Sequence, residues 1–113
     1  MKLRMLGLVV VCLFVGAVRA NAQANFTCNP VNVASFASRV HVKCNPGDGA
    51  IVFFAVSTAN TATAQRFEDL ALSALINNKT LTLQFNPADI TTGPVFGCAS
   101  SNCRAATAIF INK

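Results

Sequence analysis

Tryptophan and tyrosine are absent from the 113 residues, and histidine occurs once, at His41. The missing Trp and Tyr remove the usual amphipathic aromatic platform of a sugar-recognition site. A lone histidine excludes a two-histidine nuclease-type centre and leaves general acid–base chemistry without a second titrating partner. Acids are scarce too: Asp48, Glu68, Asp69 and Asp89 are the only four. Asp48 sits in a glycine-rich turn, where forming the turn is role enough. Glu68 and Asp69 are adjacent and point to different sides of a helix. Asp89 lies in a loop just past Pro87. No carboxylate pair of the glycosidase kind can be assembled from these. Serine and threonine are plentiful, but no G-x-S-x-G frame surrounds any serine, and only His41 is offered as an activating base. There is no glycine-rich phosphate loop and no Cys-x2-Cys pair for zinc, so neither cofactor nor metal is expected.

What is present begins at the N-terminus. Lys2 and Arg4 precede an apolar or glycine run over residues 5–18, followed by Arg19-Ala20-Asn21-Ala22. The small residues Ala20 and Ala22 fit a small-x-small cleavage site, so residues 1–22 read as a signal peptide, cut after Ala22 or Ala20. As a helix the run would span about 21 Å at 1.5 Å per residue. The hydrocarbon core of a bilayer is about 30 Å thick, so no membrane anchor is expected after cleavage. The domain proper is then residues 23–113, secreted or periplasmic. It keeps six of nine basic residues and all four acids, and its net charge falls from +5 to +2. That charge offers no clustered basic footprint for nucleic acid.

Cys12 leaves with the peptide, and Cys28, Cys44, Cys98 and Cys103 remain. An even count behind a signal peptide reads as a disulfide framework, with three pairings open. Proximity in sequence favours Cys28–Cys44 and Cys98–Cys103. The Cys98–Cys103 spacing is not the Cys-x-x-Cys of a redox pair, so a structural staple is expected. Asn25-Phe26-Thr27 and Asn78-Lys79-Thr80 match the glycosylation sequon, which matters only in a eukaryotic secretory route.

Along residues 25–38, Val31 and Val33 alternate around Asn32, a short bent strand that Pro30 places at an edge or a start. Arg39-Val40-His41-Val42-Lys43-Cys44 alternates cleanly. Val40, Val42 and Cys44 face one way, and Arg39, His41 and Lys43 face the other, towards solvent. Asn45-Pro46-Gly47-Asp48-Gly49 turns the chain into residues 50–56, apolar on both faces and therefore a central strand. The two strands predict a hairpin. Over residues 61–77 the period changes, with Phe67, Leu70, Ala71, Ala74 and Leu75 at helical spacing. Thr61 or Thr63 is the expected cap, and Asn77-Asn78 the expected stop. Strands follow at residues 80–85 and 104–112, separated by a loop carrying the close cysteine pair.

The expected fold is mostly β with one helix, ordered β-β-β-α-β-β, which is that of a five-stranded OB-like barrel. From residue 50 to 103 the chain resembles a group of small exported bacterial proteins with such a barrel. The similarity rests on Ala55-Val56-Ser57, Phe67-Glu68-Asp69-Leu70, Asn78-Lys79-Thr80-Leu81-Thr82-Leu83 and the late pair Cys98-Ala99-Ser100-Ser101-Asn102-Cys103. The group includes the receptor-binding B subunits of subtilase cytotoxin, typhoid toxin and pertussis-like toxins. The resemblance implies a non-catalytic binding module for a glycan or protein, acting as a homo-oligomeric ring. Arg39, His41 and Lys43, spaced by about 6.7 Å along one strand face, are the candidate ligand-binding residues, suited to an anionic group such as a sialic acid or a phosphate. They would act with the loop from Asp89 to Cys103. Two other readings compete: a structural or assembly subunit without ligand, and, last, a small hydrolase using His41. The bland reading of the same stripe is a solvated strand face.

Overall fold

The computed structural model describes residues 22–113; the segment assigned to a signal peptide, with Cys12, lies outside the described residues but for Ala22. The elements run β1 (Ala24–Cys28), β2 (Pro30–Ser35), β3 (Arg39–Asp48), β4 (Ile51–Ser57), α1 (Thr61–Ile76), β5 (Leu81–Phe85), α2 (Thr92–Val95) and β6 (Cys103–Ile111). The strands form one mixed, open sheet in the order β1-β5-β6-β4-β3-β2. All neighbours are antiparallel except β4 and β6.

The expected five strands and one helix become six strands and two helices. The bent stretch around Pro30 is two strands, because proline has no N–H to carry a ladder through. Asn29 alone separates them in sequence, and its carbonyl accepts the Asn45 N–H at 3.1 Å. β1 and β2 then occupy opposite ends of the sheet order. The Cys28–Cys44 disulfide ties the end of β1 to β3, the neighbour of β2, so the two ends of the sheet are drawn together. The extra helix is a single turn inside what reads as loop. Asp89 forms its entry by accepting hydrogen bonds from the Thr91 and Thr92 N–H groups and the Thr91 hydroxyl.

The β3–β4 hairpin forms as expected, with Val40 opposite Val56 and Val42 opposite Phe54. Gly49 makes its tip at φ +60, a conformation only glycine takes without cost. Strand alternation divides β4 between two clusters, while the buried face of β3 joins only the first. Val40, Val42, Cys44, Phe54 and Val56 join Leu81, Leu83 and Phe85 in the main core, covered by Ala64, Phe67, Ala71 and Ala74 of α1. Ala55 faces the other side and packs with Phe96, Cys98 and Cys103, with Phe53 and Ala105 against them. This second cluster explains why β4 is apolar on both faces. Phe96, in the loop before the close cysteine pair, is 9% accessible and belongs to it.

α1 is capped ahead of both expected threonines, one residue before Thr61 and three before Thr63. Asn60 is the cap, its side chain accepting the Thr63 N–H at 3.1 Å. Asn77 ends the helix, and Asn78 takes the left-handed conformation at φ 53. Both favoured disulfides are formed.

Candidate functional site

The outward face of β3 is not open to solvent along its length. The segment from Gly97 to Cys103 folds over it and encloses a cleft of about 210 Å³. Arg39, His41 and Phe53 form the floor; Gly97, Cys98, Ala99, Asn102 and Cys103 form the wall. Two of the three candidate ligand residues are brought together there, both half-buried. Lys43 is exposed and stands outside the lining, its Nζ 5.8 Å from the centre of the Phe53 ring. Of the expected partner loop, the Gly97–Cys103 part contributes, while Asp89 is spent on capping α2.

Each side chain is placed by an identifiable contact. The Arg39 guanidinium lies over the Phe36 ring, its Cζ 4.1 Å from the ring centre and within cation–π range. Gly97 leaves room for it: a Cβ there would fall 2.7 Å from an Arg39 terminal nitrogen. Gly97 holds φ +90, so its backbone demands glycine, whereas the guanidinium tip could swing aside from a methyl. His41 is sandwiched between two phenylalanines, with Phe36 edge-on at 5.2 Å and Phe53 tilted at 4.7 Å. Burial, and then the Arg39 charge, hold the imidazole pKa below its ordinary value of 6.5. The ring is therefore weakly basic and neutral at neutral pH.

The wall is stapled in three ways. Cys98–Cys103 closes it covalently. The Asn102 carbonyl accepts the Val52 and Phe53 N–H groups at 3.0 Å, tying the loop to β4. Arg104 donates from Nε to the Pro87 carbonyl at 2.9 Å and from its guanidinium to the Ser100 and Cys103 carbonyls. Arg104 thus holds the loop rather than a ligand. Ser38 donates to the Phe96 carbonyl at 3.0 Å and joins the start of β3 to the same segment.

Phe36, Phe53, Gly97 and Asn102 were not singled out from sequence as site residues, and Phe36 and Phe53 read as core. The parity of β4 carries the signal for Phe53. Phe54 faces the main core, so its neighbour, paired across to Lys43, must face the cationic side. No comparable signal marks Phe36 or Asn102.

Chemically, the cleft offers a guanidinium, one neutral imidazole, a phenyl ring and an amide, and its lining carries no carboxylate. Among the described residues no group of three or more His, Cys, Asp or Glu could hold a metal ion, and no helix is long and apolar enough to cross a membrane. No known protein family, curated protein or solved structure matches the chain.

Proposed function

We propose that this domain is an exported, non-catalytic binding module whose β3 cleft takes an anionic group carried on a glycan. One observation carries the reading. Arg39, stacked on Phe36 and accommodated by Gly97, faces an acid-free cleft with Phe53 in its floor. A guanidinium is itself planar and can engage a carboxylate or sulfate with two parallel hydrogen bonds. The Phe53 ring in the cleft floor supplies an apolar surface where Trp and Tyr are absent. The non-catalytic reading is supported by the lining, in which His41 meets no second titrating group of opposite role.

We read β1 and β2 as halves of one strand broken at Asn29–Pro30. The open sheet is then an OB-like barrel in which α1 connects β4 to β5 and β4 lies parallel to β6. Export through a signal peptide at residues 1–22 fits the two disulfides, which persist in oxidising compartments.

A glycan array probed with oxidised protein tests the reading. Retention of acidic glycans by the wild type, lost in Arg39→Gln, is the expected result. An empty array together with an empty pull-down would sink it, and capture of a protein alone would move the site to a protein ligand. A second reading, a ligand-free assembly subunit, draws on the free outer strands β1 and β2 and on Val31, 45% exposed on β2. A stable ring by light scattering, without glycan retention, would favour it.

A further inference from the structure

Building on the anion-binding reading of this cleft, we infer that His41 is its specificity-determining residue, taking up a proton as the anion binds and so making recognition stronger in mildly acidic surroundings. The geometry leaves little alternative place for the charge. An anion engaged by Arg39 inside the cleft lies against His41, because both side chains line the same floor from alternate positions of β3. On its own strand His41 is flanked by two cations, Arg39 and Lys43. From β2 it faces Ala34 across the ladder, from β4 Ala55 and Phe53, and from the loop the uncharged stretch Gly97–Cys103. Phe36 closes the remaining side.

The free site disfavours a charged imidazole through burial and the neighbouring Arg39 cation and offers no acid to compensate, consistent with the depressed pKa of His41. A bound anion supplies the missing partner and raises that pKa. By linkage, a group whose pKa rises on binding makes the complex tighter as pH falls through the bound-state value. The gain reaches up to about tenfold in affinity per pH unit and levels off below the free-state value.

The probes are inorganic sulfate and glucuronate, whose charges stay fixed between about pH 5 and 8, so that only the protein titrates. His41 is the sole histidine, and its imidazole signals in NMR are unambiguous. Titrations of the full exported protein across that range are expected to show affinity rising towards low pH. The His41 midpoint should move upward when the site is saturated. The two probes separate a sulfo group from a carboxylate as the preferred anion. His41→Phe keeps an aromatic ring in the sandwich and is expected to bind with a flat pH profile, while Arg39→Gln loses the anion: its His41 midpoint starts higher, the guanidinium being gone, and does not move further when either probe is added. Binding that is pH-independent, with an unmoved His41 midpoint, overturns the inference and leaves the anion-site reading standing. No response of Arg39, His41, Phe53 or Asn102 to either probe at any pH overturns both.

Discussion

Arg39 decides whether the cleft has a function. It is the only cation whose side chain lines it, and it lies over the Phe36 ring. Charge-assisted hydrogen bonds contribute about 1.5–3 kcal/mol each, so Arg39→Gln is predicted to weaken binding of an acidic sugar by about tenfold or more. Lys43 stands outside the lining, and Lys43→Gln should weaken the same isotherm only a few-fold. Gly97→Ala is the sharper test of placement. The added methyl meets Arg39, and the backbone at φ +90 resists any side chain. It should reduce affinity with a smaller loss of stability than a core truncation. Phe54→Ala supplies the contrast: Phe54 is fully buried in the main core, and its loss should cost about 3–5 kcal/mol by urea unfolding.

At the scale of elements, the two disulfides have different jobs. Cys28–Cys44 joins β1 to β3 across 16 residues, and replacing the pair by alanine should remove about 3 kcal/mol in the chain-entropy picture. Its loss acts away from the cleft and should leave anion affinity of the folded fraction unchanged. Cys98–Cys103 closes a short loop worth less to the unfolded chain, about 2 kcal/mol, yet it forms the cleft wall. Replacing that pair should abolish binding while the far side of the sheet stays folded, which calorimetry and urea unfolding of both variants would separate. The helix start is a third element-scale case. Asn60→Ala removes the side-chain acceptor for the Thr63 N–H and should cost about 1 kcal/mol.

These elements also show what a reader of the sequence could see. The alternation of residues 39–44, the two-sided apolar run of β4 and the helical spacing around Phe67 each encode burial directly, and each appears as an element. The cysteine pairing followed from separation along the chain. The break at Asn29–Pro30 was visible as a bend but not as a second strand, because pairing to two different partners is a long-range choice. The single turn of α2 was hidden, since Thr92-Gly93-Pro94-Val95 has no helical propensity or period of its own and is held by Asp89. The Arg39–His41 part of the site was legible as a cationic face. The loop from Asp89 to Cys103 was expected beside that face, but nothing in its sequence says that only its Gly97–Cys103 part would line the cleft.

For the molecule as a whole, the pH dependence of stability follows from two groups with lowered pKa values. His41 favours its neutral form in the fold, so its contribution is complete above pH 6.5 and is lost as pH falls from there through its lower folded value. Asp89 is held to about 2 by its hydrogen bonds from Thr92 and Thr91, so its contribution is present above 3.8 and lost as pH falls through about 2. Stability should therefore decline in two stages on acidification, the later one small because Asp89 lies at the surface, where solvent screens its interactions. Urea midpoints measured against pH should lose the first stage in His41→Phe and keep the second. A saturating anion should blunt the first stage in the wild type.

The central claim is that Arg39 and the disulfide-closed loop form a site for an anionic sugar. The most direct measurement is an amide NMR titration of the oxidised protein with glucuronate. Shifts that saturate and concentrate on Arg39, His41, Phe53 and the Gly97–Cys103 wall, and that vanish in Arg39→Gln, are the predicted result. Shifts that are absent, or that scatter over the surface and persist in Arg39→Gln, would contradict it.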